Sequence, residues 1–355
     1  KYVAESLEIF RIHDIFIFII IFYVCTLGIT AIYLKLADRI SLSLYNYYIS
    51  LTLILFLTVF FIGYSTYVMV FVRPRKLFRY LLNNMLSKFI KRERILNALL
   101  IIFCMSLFIS AFTTFKELIP IINPYSWDPT FAKIDATIHG GFQPWQLLHP
   151  VIGYSFLTSV LNFFYNLWFF VMFLVLYWQA FSLRDSKLRM QFFISFVLIW
   201  GILGTFFATL FSSVGPCYYD KVVIGSDVYK PLMNYLNNAK ESFPIWALNT
   251  QKMLWETYEN NEINLGGGIS AMPSLHVATS FLFALVGWRY HRILGVVFGV
   301  FAFIILIGSV HLAWHYAIDG YFSIIFTAII WHLVGYFLNR NQRIIANTKQ
   351  TLKHE

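Results

Sequence analysis

Hydrophobic positions in this chain gather into eight long runs, with none of the short alternation that marks half-buried strands. The runs cover about 15–34, 48–72, 95–115, 155–180, 191–213, 275–288, 293–310 and 317–338. Most reach the ~20 apolar residues needed to cross a hydrocarbon core ~30 Å thick, and the sixth is the shortest. The pattern predicts an all-α, polytopic integral membrane protein with about eight transmembrane helices.

Composition agrees with that pattern. Of 355 residues, 59% are hydrophobic and 12% charged, against roughly a quarter charged in ordinary soluble domains. Disordered, collagenous and disulfide-scaffold classes are excluded by the abundance of apolar residues and by a total of three cysteines. Cys25 and Cys104 fall inside runs and Cys217 in a polar segment, which suggests no disulfide pair.

The net charge of +10 does not imply a nucleic-acid partner, because every Lys and Arg lies between the apolar runs. Alternate connecting segments hold 19 and 8 of the 27 basic residues. The positive-inside rule then predicts cytoplasmic termini, with the long polar segments 116–154 and 214–274 facing periplasm or lumen. The first run has the length of a true span and no small-residue cleavage site, so it reads as a membrane helix rather than a signal peptide.

Four regions follow: a two-span N-terminal hairpin (1–72), a basic interfacial helix (73–94), a six-span core (95–340) and a cytoplasmic tail (341–355). In 73–94, eight basic residues interleave with Leu77, Phe78, Leu81, Leu82, Met85, Leu86 and Phe89. Such a face suits anionic headgroups. The two long outward segments carry Trp, Tyr, Pro and Gly in a manner expected of packed lids, including a short helix that ends at Gly140 and Gly141.

Candidate chemistry lies at the outer ends of the last three runs. In HLAWHYAID (311–319) a continuous helix would set His311, His315 and Asp319 on one face, with Asp319 partnering His315. In GGGISAMPSLHVATS (266–280), Pro273 suits a first helical turn and Ser270 or Ser274 can cap it. The glycines before it allow backbone N–H groups to converge on an anion. Ser274, Gly267 and Gly268 are thus candidate phosphate-binding positions, with His276 one turn away as a proton donor.

These residues resemble the type 2 phosphatidic acid phosphatase superfamily, in particular its branch containing inositol phosphorylceramide synthase and inositol phosphotransferase-like proteins. The superfamily pattern is KxxxxxxRP, then PSGH, then SRxxxxxHxxxD. Here the second element reads Pro273, Ser274, Leu275, His276, and the third ends at His315 and Asp319. Gly308 and Ser309 stand where Ser and Arg are expected, Gly215 and Pro216 stand for RP, and Ala208 replaces Lys.

The resemblance implies a six-helix catalytic core and a lipid phosphotransferase that works without a metal or other cofactor. It implies His315 as nucleophile, Asp319 as its orienting carboxylate and His276 as acid and base in a phosphohistidine mechanism. With three of the pattern's cations replaced, Lys221, His311 and the Gly266–Gly268 backbone are the candidate substitutes for holding phosphate. The expected partners are the bilayer and a phospholipid or lipid-linked phosphate. The alternatives are a lipid phosphate or prenyl diphosphate phosphatase, a zinc hydrolase using His276, His311, His315 and Asp319, and a transporter, against which the lack of an evident inverted repeat counts.

Overall fold

The computed structural model describes residues 12–260 and 267–351, so the expectations that concern Gly266 and the extreme ends lie outside the described residues. In chain order the principal helices are α1 (Asp14–Tyr33), α2 (Asn46–Tyr67), α3 (Leu77–Asn84), α4 (Arg92–Ile122), α5 (Asp128–Ile138) and α6 (Pro144–Ile152). They continue with α7 (Ser155–Phe181), α8 (Ser186–Gly201), α9 (Lys230–Lys240), α10 (Trp246–Glu259), α11 (Leu275–Tyr290), α12 (Arg292–His311) and α13 (Ala317–Thr351).

Seven helices among the described residues are long and apolar enough to cross a membrane: α1, α2 with its extension to Val72, α4, α7, α8 with its extension to Leu210, α12, and α13 to Arg340. The eighth expected span is α11, which has 16 residues and so runs about 24 Å. Its surroundings explain why this length suffices. It packs against α7, α8, α12 and α13, and Val277, Leu282, Phe283 and Val286 are fully buried. A helix packed against four neighbours over most of its length can start where the site needs it rather than at the membrane surface.

Around α11 the core is aromatic and aliphatic, with Phe108, Phe192, Phe193, Phe196 and Ile305 inaccessible to solvent. Burying side chains of this size contributes about 1.5–3 kcal/mol each. The N-terminal hairpin lies against this bundle, with α1 on α4 and α8, and α2 on α4 and α7. Helix α3 exposes Phe78 and Leu82, and the π-helical turn Met85–Phe89 that follows it exposes Leu86. The two long polar segments 116–154 and 214–274 contribute α5, α6, α9 and α10, which cap one end of the bundle by packing on α13, α12 and α7. Helix α13 continues to Thr351, past the expected boundary at 340.

Candidate active site

The PSLH segment begins α11. Ser274 is the N-cap, its Oγ accepting the Val277 N–H at 3.5 Å. Pro273 therefore precedes the cap and does not occupy the first helical turn. The preceding loop is tied to the loop after α8: Ala271 N–H donates to the Ser213 carbonyl (3.0 Å) and Met272 N–H to Ser213 Oγ (3.2 Å). Gly268 adopts φ +77°, and a Cβ there would stand 2.9 Å from the Lys116 carbonyl carbon. Only glycine allows this loop to lie directly against the outer turn of α4.

HLAWHYAID is not one continuous helix. Helix α12 ends at His311, and Ala313 takes a left-handed conformation with φ 61°. Trp314 N–H bonds the Ser309 carbonyl at 2.9 Å and Ala313 N–H the Val310 carbonyl at 3.1 Å, the paired bonds of a Schellman stop. The chain turns, and α13 starts at Ala317. His311 is thereby left behind on α12 while His315 swings forward. Ser309, aligned with the family's arginine, instead holds the turn: its carbonyl also accepts the His315 N–H at 3.1 Å.

His315 is buried and oriented from one side. Its Nδ1 lies 2.7 Å from the Ala271 carbonyl and 3.3 Å from Asp319 Oδ2. A carbonyl can only accept, so Nδ1 carries the proton and Nε2 keeps its lone pair. Asp319 Oδ2 also accepts the Tyr316 N–H at 3.1 Å. Burial pulls the His315 pKa down to about 4; the Ala271 bond opposes this and the Lys116 ammonium adds to it. The ring is neutral at neutral pH, the state a nucleophile requires.

Two carboxylates on α5 fix the loops that carry these groups. Asp128 accepts from Val214 N–H (3.0 Å), Gly215 N–H (2.9 Å) and the Tyr316 hydroxyl (2.7 Å). Asp135 accepts from Ala317 N–H (2.7 Å) and Ile318 N–H (2.9 Å), which caps α13. Burial raises both carboxyl pKa values while these bonds pull them back. Gly215, at φ +92°, brings the loop after α8 against the Trp314 carbonyl, 2.6 Å from where a Cβ would stand. In place of the expected RP arginine there is thus a backbone junction that admits no side chain.

A cavity of about 470 Å³ opens in front of His315, within the usual ~300–1,000 Å³ of ligand sites. Its outer end is lined by Lys116, Gly267, Gly268, Ser270, His276 and His315. The inner end is apolar, with Ile109, Phe112, Phe169, Met172 and Trp200. His276 stacks on Tyr165 (centroids 4.5 Å apart) and against Trp168 (4.0 Å), with its ring 6.4 Å from that of His315. These aromatic contacts hold the imidazole in the cavity wall.

The cavity brings together His276, His315, Gly267 and Gly268, with Asp319 directly behind His315. It does not gather the other three sequence candidates. Ser274 is fully buried as the α11 cap. His311 is fully buried, with Nε2 2.8 Å from Thr158 Oγ1. Lys221 lies over the Trp255 ring, 4.4 Å from its centroid, and is not part of the lining. The one Lys or Arg among the described lining residues is Lys116, one of the eight basic residues of the sparser set of connecting segments. Its signal was a lysine placed one residue beyond the apolar run of the third span.

The four-ligand zinc arrangement does not fit this geometry. His311 is turned toward Thr158 and Tyr235, and no three His, Cys, Asp or Glu groups among the described residues converge as a metal site.

The PAP2 superfamily matches the chain over residues 129–333. This stretch exceeds half the chain and contains the PSLH and HYAID segments, so the protein belongs to the PAP2 superfamily. It is a helical integral membrane protein of a family of lipid phosphatases and phosphotransferases. No curated protein and no solved structure shows significant similarity to it.

Proposed function

We propose that the protein is a membrane lipid phosphotransferase that passes a phosphoryl headgroup from a phospholipid to an alcohol through a phosphohistidine. The observation that carries this reading is the one-sided anchoring of His315: Nδ1–H is committed to Ala271 and Asp319, and the remaining nitrogen belongs to a cavity-lining ring. In the first step the Nε2 lone pair forms a bond to phosphorus, the bond to the lipid alcohol oxygen breaks, and His276 delivers the proton that oxygen needs. In the second step an acceptor alcohol loses its proton to His276 and attacks phosphorus. The P–N bond breaks and neutral His315 returns. Asp319 stabilises the positive charge that His315 carries between the two steps.

Lys116 and the Gly267–Gly268 backbone hold the non-bridging oxygens. One cation suits a phosphodiester, which bears one negative charge, better than a phosphomonoester dianion. The inositol phosphotransferase-like branch, in which the donor is such a diester, is the reading this charge balance supports. The 19-to-8 asymmetry of basic residues supports a cavity on the periplasmic or lumenal side.

Lipid mass spectrometry of cells expressing the wild-type chain or His315→Ala tests the reaction and reveals donor and product together. The expected result is a headgroup-bearing product present only with the wild type. Purified protein should also act on a phosphodiester lipid faster than it releases inorganic phosphate from phosphatidic acid. The opposite preference would make it a phosphatase.

A further inference from the structure

The two ends of the cavity differ in chemistry, and the N-terminal hairpin closes the apolar end. From Lys116 to Ile109 the lining descends seven residues of α4, roughly 10 Å of helix, and Tyr165 to Met172 descends the same distance on α7. Phe169 and Phe170 line the cavity and are also 36% and 55% exposed on the outer face of α7. The cavity therefore opens toward the bilayer at Phe169 and Phe170 of α7. Below that mouth the cleft is bridged by the hairpin. Tyr45 lines the cavity and is 5% exposed.

Polar bonds fasten the hairpin to both walls of the cleft. On the α4 side, Tyr45 N–H donates to Ser110 Oγ (3.1 Å) and Ser106 Oγ to Asn46 Oδ1 (2.6 Å). On the α7 side, the Tyr177 hydroxyl donates to the Ile49 carbonyl (2.8 Å). A second, small apolar crevice of about 10 Å³ adjoins it, sharing Ile109 with the main cavity and lined by Ile49, Met105 and Phe173. Side chains at Tyr45 and Ile109 thus set where the main cavity stops.

We propose that the apolar half of the cavity is a binding slot for one hydrocarbon chain of the lipid substrate, and that the N-terminal hairpin is its floor, with Tyr45 and Ile109 setting the length of chain accepted. The proposal rests on the lipid phosphotransferase reading for the identity of the occupant. Continuity supplies the argument: a phosphate at Lys116 and His315 leaves its attached chain no dry path other than down this lining or out through the Phe169–Phe170 mouth. Polar occupants are disfavoured by the inner lining, which offers few hydrogen-bonding groups.

The test has two independent readouts. The first is turnover of phosphodiester lipids that share one headgroup and differ in chain length, by wild type, Ile109→Trp and Tyr45→Ala. Ile109→Trp fills the slot and should lower the ratio of long-chain to short-chain turnover by about tenfold, the scale at which an apolar pocket discriminates size. Tyr45→Ala keeps the backbone bond to Ser110, opens the way to the second crevice and should raise that ratio. One chain-length profile shared by all three proteins would overturn the proposal.

The second readout needs no catalysis: photo-crosslinking of a phospholipid that carries a diazirine in mid-chain, with the labelled peptides mapped. Label on the Tyr45, Ile109 and Met172 segments, lost in Ile109→Trp, supports the slot even if no phosphoryl transfer is found, an outcome that defeats only the proposed reaction. Label confined to outward positions such as Phe163 and Leu174 overturns the slot even if transfer is found.

Discussion

Nδ1 of His315 is 2.7 Å from the Ala271 carbonyl and 3.3 Å from the Asp319 carboxylate. The shorter contact is to a group that cannot change its protonation, so the tautomer of His315 is set by the loop that leads into α11. The carboxylate supplies charge alongside it. The loop before PSLH is thereby tied to HYAID, a link to which the Ser274 N–H adds by donating to the Asp319 carbonyl (3.5 Å), so the orientation of His315 depends on both loops being in place.

This division of labour predicts a moderate effect for Asp319→Asn. With the tautomer held by Ala271, the loss is limited to charge stabilisation, and kcat should fall roughly 10²-fold, the magnitude typical of losing one preorganised electrostatic group. A fall near the ~10⁴-fold seen when a triad carboxylate sets the tautomer would show that Asp319, not Ala271, fixes the proton. Steady-state kinetics on the phosphodiester substrate decide between them.

Asp135 never touches the cavity, yet it accepts the first two N–H groups of α13. Asp135→Ala should destabilise the protein by about 2 kcal/mol through the lost cap and the buried donors left unpaired. Thermal unfolding in detergent should show the drop, and kcat should fall because His315 immediately precedes the released helix end. An unchanged Tm would contradict this role.

The low pKa of His315 has a definite sign in pH experiments. The folded-state value is about 4, whereas an unfolded histidine titrates near ~6.5. The group's contribution to stability is therefore complete above pH ~6.5 and is lost as pH falls toward 4, because the unfolded chain takes up the proton first. The acid limb of kcat/KM should likewise lie below pH ~5. Lys116→Met removes a nearby positive charge, so the limb should move upward in pH. A limb that stays in place would remove Lys116 from the electrostatics of the site.

The orientation rests on charge asymmetry and is tested by labelling. A cysteine from Asn260→Cys should react with an impermeant maleimide in intact cells, and one from Asn341→Cys should not. The reverse pattern would put the cavity on the cytoplasmic side.

Much of the fold was legible because membrane spans are written as uninterrupted apolar runs, and seven of them form helices long enough to cross. His276, His315 and Asp319 stood out because short polar motifs at the ends of such runs are conspicuous. The turn at Ala313 was not legible: alanine is the best helix former, and the left-handed stop depends on the bonds it lets Trp314 and Ala313 make. That turn is what separates His311 from His315, so the expected shared face was lost with it.

Lys116 was hidden for a different reason. As the first charge after an apolar run it reads as a span boundary, and nothing local reveals that α4 continues to Ile122 and carries the lysine into the cavity wall. Lys221 attracted attention through its nearness to GPCYYD, but its side chain lies on Trp255. Asp128 and Asp135 left a readable trace: seven residues apart, they fall on one face of the short helix Asp128–Ile138. Their partners come from segments about 80 to 190 residues away, which no local pattern encodes.

The central claim is that His315 carries the phosphoryl group between donor and acceptor. Its most direct test is intact and peptide mass spectrometry of purified protein, quenched in alkali after mixing with a phosphodiester lipid and no acceptor. The account predicts a phosphoryl-headgroup adduct on the His315 peptide, absent in His315→Ala and discharged by adding an alcohol. Turnover without any adduct, or an adduct that persists in His315→Ala, would contradict it.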